Sequence, residues 1–172
     1  MQRPIRALSV AAAMSLAVLA TPAADEQTVD PTRFAGTWRI NLEKSTYSPG
    51  PPPTAVQTRV HEDRSGGLIH LTGRTFDAQG KPVFYQSVFK CDGKGYPWVV
   101  RGGARALSIS CRAIDAYGFD YTMEDAEQGD TVATGSYVVA RDGKTLTLVV
   151  KGTNTEGRPI DNVIVYDFFG RF

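Results

Sequence analysis

The sequence predicts an all-β protein folded as a single antiparallel, up-and-down β-barrel of about eight to ten strands. Three observations carry this expectation. From Thr54 onward apolar and polar residues alternate in short runs, the period of strands with one buried face. Gly, Asp and Asn interrupt those runs at turn-like intervals. The connections leave no room for crossover helices, so each strand pairs most simply with the next. Closure into a barrel removes the edges that an open meander would expose; a two-sheet sandwich is the alternative architecture.

The N-terminus reads as a leader. Arg3 and Arg6 precede an apolar run from Ala7 to Leu19, followed by Ala20-Thr21-Pro22-Ala23-Ala24, the three parts of a cleavable secretory signal. The run is shorter than the roughly 20 residues of a membrane-spanning helix, and no cysteine follows it for lipid attachment. Residues 1–24 are therefore expected to be removed, leaving a periplasmic or secreted chain, 25–172, with no membrane span. Removal takes Arg3 and Arg6 from the 19 basic residues and leaves 17 against 18 acidic ones, a formal charge of about −1. Lys and Arg are scattered, so a nucleic-acid partner is not expected.

Ser48-Pro49-Gly50-Pro51-Pro52-Pro53 cannot supply ladder donors and reads as an extended strap over the barrel rim. A two-residue turn at Ser65-Gly66 sets Val60 opposite Leu71 and Val56 opposite Thr75 on the apolar face, with Arg59 and Thr72 on the reverse. In the strand 83–91, Tyr85 and Phe89 take the more apolar face. Trp98 falls on a loop-like stretch, 95–103, as a rim guard or core cap. In the strand 117–123, Tyr117, Phe119, Tyr121 and Met123 share one side. Asp142-Gly143 suits a two-residue type I′ turn, pairing Val139 with Leu146, Tyr137 with Leu148 and Gly135 with Val150. Asp77-Ala78-Gln79-Gly80-Lys81-Pro82 and Asn154-Thr155-Glu156-Gly157-Arg158-Pro159 repeat one turn recipe.

Phe34-Ala35-Gly36-Thr37-Trp38 resembles the opening strand of lipocalins and related calycin barrels. A longer resemblance, to uncharacterised bacterial secreted lipocalin-like proteins, runs through Lys44-Ser45, the proline strap, Asp92-Gly93-Lys94 with Tyr96-Pro97, Asp142-Gly143-Lys144-Thr145-Leu146-Thr147 and Val165-Tyr166-Asp167. It implies a lipocalin-like barrel in which Gly36 and Trp38 are structural and Trp38 packs across the closed end. It implies no activity. The chain lacks the helix after the last strand of lipocalins and the helical lid of fatty-acid-binding proteins.

Candidate chemistry is sparse. With the two-residue turn, His61 lies opposite His70 on the outer face, with Asp63 two residues along. That arrangement reads as a surface histidine pair rather than a metal site, and a haem would need an inward histidine. No serine sits in a nucleophile-elbow setting and no catalytic residue is assigned. No cofactor or metal is expected. Cys91 and Cys111 are symmetric about Arg101, so a hairpin turning there would bring them within bonding range; a separate strand at 96–100 would hold them about 9.5 Å apart, two strand spacings, and forbid the bond. Export favours the disulfide.

Tyr85, Phe89, Trp98, Phe119, Tyr121, Tyr137, Leu146 and Leu148 are the candidate ligand-binding residues. Inward aromatics either fill a barrel of this size or line a pocket for one small ligand. The leading expectation is an exported protein that binds a small, largely apolar ligand in the barrel interior. The alternatives are a solid barrel acting through its surface on another protein or the envelope and, as a minority reading, an unassigned enzyme using convergent carboxylates.

Overall fold

The computed structural model describes residues 27–52, 58–64, 66–76, 80–103, 105–153 and 157–171. Residues 1–24, expected to be a leader, Val56 and residues 77–79 and 154–156 of the two repeated loops lie outside them. The described residues form ten strands: β1 (Gly36–Thr46), β2 (Thr58–Arg64), β3 (Leu68–Phe76), β4 (Pro82–Phe89), β5 (Tyr96–Val100), β6 (Leu107–Asp115), β7 (Gly118–Asp125), β8 (Thr131–Val139), β9 (Thr145–Thr153) and β10 (Pro159–Gly170). Each pairs antiparallel with its sequence neighbour. β1 pairs with β10 and closes the barrel.

The seam between β1 and β10 is tied by side chains from two of the motifs that carry the resemblance. The Ser45 hydroxyl donates to the Asn41 carbonyl at 2.6 Å and accepts from the Val165 amide at 3.0 Å, beside an irregularity in the register. Asn41 and Lys44 both donate to the Asp167 carboxylate, at 2.6 and 3.1 Å.

At one end of the barrel a 3₁₀ turn, Pro31–Arg33, is capped by Asp30 and delivers Phe34 into the interior, where it is fully buried. Burying a side chain of that size contributes on the order of 2–3 kcal/mol. Trp38 is also buried; its indole N–H donates to the Phe34 carbonyl at 2.8 Å and its ring meets Phe168 edge-on. The closed end expected for Trp38 is here. At the opposite end Ser48 of the proline segment exchanges hydrogen bonds with the start of β10, its amide donating to Asn162 Oδ1 and its carbonyl accepting from the Asp161 amide.

The pairing of Val139 with Leu146, Tyr137 with Leu148 and Gly135 with Val150 is as the sequence predicts. The turn differs. Of its residues only Gly143 has positive φ, so it is not type I′. A four-residue loop, 141–144, is closed by Ala140 N–H to Thr145 O and Gly143 N–H to Ala140 O, which preserves the register.

The β2–β3 hairpin overturns its expectation. The loop has three residues, with Gly66 and Gly67 both at φ 75°. Arg64 pairs with Leu68, His61 with Leu71, Val60 with Thr72 and Arg59 with Gly73. This is a slip of one residue from the expected pairing, and a one-residue slip turns every side chain of a strand to the other face. Arg59 and His61 thus go inward. His70 pairs with Glu62 and alternates with the inward Ile69 and Leu71, so the two histidines occupy opposite sides of the sheet.

Two further expectations change. Residues 96–100 are a strand, β5, with Trp98 buried between β4 and β6 instead of on a loop. Cys91 and Cys111 are nevertheless bonded, with Cα atoms 4.5 Å apart. The chain leaves β4 after Phe89 and leans directly on β6 before β5 begins: Asp92 bridges to Arg112, and the Gly93 amide donates to the Cys111 carbonyl. Tyr117 precedes β7 and lies between the Arg33 and Arg141 guanidinium groups, 3.9 and 4.0 Å from its ring centre, rather than pointing inward with Phe119.

Candidate functional site

The inverted register of β2 places a charge inside the barrel. Arg59 is 8% exposed. Its Nε donates to the Tyr166 hydroxyl at 2.9 Å and an Nη to the Tyr137 hydroxyl at 2.6 Å. The rings of Tyr85, Tyr166 and Tyr137 surround the guanidinium at 5.0, 5.4 and 5.5 Å, within cation–π range. Gly73, paired with both Arg59 and Tyr85, makes this possible. A Cβ there would overlap the Tyr85 ring, so only glycine lets that ring cross β3 to reach Arg59.

Among the described residues no carboxylate pairs with Arg59. Asp125, a buried acid, is committed to its own turn, accepting from the amides of Glu127 and Gln128. Burial works against the charge of Arg59, while Tyr137, Tyr166 and Tyr85 favour it, and the net direction of its pKa is upward. The guanidinium remains a cation held by neutral phenols. Burial in turn pushes the Tyr85, Tyr121 and Tyr137 hydroxyls above their ordinary range.

Two polar side chains near Arg59 have unmet capacity. His61 is fully buried, 6.1 Å from Phe34 in a stacked arrangement and 6.1 Å from Tyr137 edge-on, and neither ring nitrogen has a hydrogen-bond partner. Burial, and then the Arg59 charge, lower its pKa to about 3. The imidazole is neutral at physiological pH, with one donor and one acceptor unsatisfied, and is too weak a base for proton abstraction there. The Tyr47 hydroxyl, at the end of β1, is likewise buried and unpartnered; burial, and then Tyr166, raise its pKa to about 12. Each unmet group costs about 1–3 kcal/mol. Ser87 is satisfied, donating to the Pro97 carbonyl at 2.7 Å.

All eight residues expected to line the interior face it. Phe89, Trp98, Phe119, Tyr121, Tyr137, Leu146 and Leu148 are buried in one core cluster, and Tyr85 packs against it. Phe119 contacts Phe34, Phe89 and Tyr137 at 5.3, 5.8 and 5.0 Å, so the closed end is filled by its own side chains. Tyr85 stacks on Trp98 at 5.2 Å. A cleft of about 490 Å³ opens on the outer face of β3, β4 and β5, lined by Thr72, Phe84, Gln86, Val99 and Arg101 together with Gly73 and Tyr85. The Tyr85 ring faces inward, onto Arg59. Sequence reasoning missed Arg59, His61, Tyr47 and Tyr166. The signal available was Gly66-Gly67, a pair that supports a three-residue loop as readily as a two-residue one.

No family model matches the chain, and no curated protein matches it in sequence. Two solved structures are similar in shape. One is a redesigned β-barrel, 11% identical, with a TM-score of 0.48 over 84% of this chain and 99% of that one. The other is the crystal structure of Rv2717c from M. tuberculosis, 14% identical, with a TM-score of 0.52 over 80% of this chain and 94% of that one. The latter likeness concerns the fold alone, and it is to an all-β barrel.

Proposed function

We propose that this is an exported lipocalin-like binding protein that takes a small, largely apolar ligand at the Tyr85 side of the barrel interior. The observation that carries the reading is a cluster of buried polar groups with unmet hydrogen-bonding capacity inside an otherwise apolar shell. Ligand sites have this composition: apolar walls and a few convergent polar groups, commonly in a volume of about 300–1,000 Å³. Export is supported by the Cys91–Cys111 disulfide, a bond that persists in oxidising compartments, and by the form of residues 1–24. Among the described residues no helix is long and apolar enough to cross a membrane.

The test is native mass spectrometry of protein purified from its own host, with a thermal-shift screen of lipids and apolar metabolites. A bound mass or a shift of several degrees is expected; neither appearing would overturn the reading. A second reading, a solid barrel that works through its surface, draws on Phe84, Val88 and Val99, exposed at 44%, 44% and 51% on β4 and β5, and on the filled closed end. Self-association or partner binding lost on Val99→Asp would favour it.

A further inference from the structure

The geometry points to a second binding site, on the outside of the closed end, for a phosphate monoester; it is independent of the interior site. The 3₁₀ turn, the β8–β9 loop and the end of β10 frame a cleft of about 450 Å³ whose walls include Arg33, Tyr117, Arg141, Lys144, Phe168 and Arg171. Four of these six side chains are cations. The chain 25–172 as a whole has no such surplus, with 17 basic residues against 18 acidic ones.

Two acids share the cleft and a third holds Arg141, and all three are engaged. Asp30 Oδ1 accepts from the Thr32 amide and hydroxyl at 3.1 and 2.6 Å, and Asp30 Oδ2 lies 3.2 Å from Arg33 Nε. Asp142 Oδ1 accepts from the Lys144 amide at 3.0 Å. Asp115 accepts from the Tyr117 amide at 2.7 Å and from an Arg141 Nη at 3.2 Å. One positive charge is left over, and among the described residues neither Lys144 nor Arg171 has an ion pair. The Arg33 and Arg141 guanidinium groups lie 3.9 and 4.0 Å from the Tyr117 ring centre. Ring and acid together hold each fork, and donors placed in advance lose little freedom on binding. A guanidinium has five N–H donors, of which its acid takes only some.

Three features select the class. Donors approach from three separate segments, which suits the three terminal oxygens of a phosphoryl group, whereas a single guanidinium fork satisfies a planar carboxylate. A dianion draws on both Lys144 and Arg171. Phe168, 37% exposed and meeting Trp38 edge-on at 5.1 Å, supplies an apolar wall for the organic body of an ester, which bare phosphate would leave uncovered.

Such an ester can be a soluble molecule or the headgroup of phosphatidic acid, and the experiment separates the two. The full-length chain is titrated calorimetrically at pH 7.5, where a phosphate monoester is mainly dianionic, with phenyl phosphate, benzoate and inorganic phosphate. It is also sedimented with phosphatidylcholine vesicles with and without phosphatidic acid. Phenyl phosphate is expected to bind at least tenfold more tightly than benzoate and severalfold more tightly than inorganic phosphate. Arg141→Gln combined with Lys144→Gln should weaken it at least tenfold, while Arg101→Gln, after β5, should leave it unchanged. Binding of phenyl phosphate without sedimentation supports the site with a soluble ester. Sedimentation that requires phosphatidic acid and is lost in the double variant supports it with a lipid headgroup. Benzoate or inorganic phosphate binding as tightly as phenyl phosphate, binding that survives the double substitution, an equal loss in Arg101→Gln, or no binding of any probe would overturn it. Near-UV circular dichroism verifies that the variants are folded; should the double variant not fold, the phenyl phosphate-to-benzoate ratio of the unaltered chain decides.

Discussion

The aromatic plug of the barrel and the polar residues that β2 turns inward beside it obey different rules. In the plug the Trp38 indole donates to the Phe34 carbonyl, and Phe34, Phe89 and Phe119 pack ring against ring. On the neighbouring strand β2, where Arg59 pairs with Trp38 and His61 with Gly36, Arg59 has no acid among the described residues and the His61 ring nitrogens have no hydrogen-bond partner, nor has the Tyr47 hydroxyl near the other end of β1. The first region gains stability from each side chain it buries. The second gives some of it away, as sites maintained for binding commonly do.

Perturbing the closed end should therefore have the largest effect. Trp38→Ala is expected to lower unfolding free energy by about 3–5 kcal/mol, read by urea denaturation. Paired replacement of Cys91 and Cys111 by Ala releases a loop of 20 residues, and is expected to cost about 3 kcal/mol. Measuring the oxidised chain and the double variant side by side gives that difference, and free thiols found in non-reducing mass analysis would contradict the bond itself.

The inward face of β2 should respond to pH. Unfolded His61 takes up a proton near pH 6.5, whereas the folded side chain does so only near pH 3. Its neutral burial is therefore fully tolerated above about pH 6.5, and stability declines as pH falls through the interval down to about 3. The decline is at most about 1.4 kcal/mol per pH unit. Between pH 6.5 and 4.5 the unaltered chain is expected to lose about 2 kcal/mol more than His61→Leu does. Parallel acid-side slopes for the two proteins would assign the decline to carboxylates such as Asp92 and Asp167, whose pKa values lie below the usual range.

The same contrast explains what the sequence disclosed. Regions that obey simple patterning were legible: β7 and the β8–β9 hairpin alternate cleanly, so the inward positions of Phe119, Tyr121, Tyr137, Leu146 and Leu148 followed from period and register. β2 was not legible, because Thr58-Arg59-Val60-His61-Glu62-Asp63-Arg64 offers a single aliphatic residue, Val60, and the natural inference turns it inward. A strand that points its polar residues into the core breaks the rule by which strands are read. The disulfide followed from symmetry and export, although the geometric condition set against it failed: β5 begins too late to separate Cys91 from β6. Tyr166 stood within a recognised motif, yet its role depends on Arg59, which no local pattern identifies.

The central claim is that Arg59 is kept inside the barrel at a cost to the fold. Urea unfolding of Arg59→Met against the unaltered chain, without ligand at pH 7.5, tests it most directly. The variant is expected to be within about 1 kcal/mol of the original or more stable, because removing a buried charge that has no ionic partner among the described residues abandons no opposite charge there. A loss of about 3–5 kcal/mol, the amount typical of breaking a paired buried charge, would contradict the account and make Arg59 a structural post.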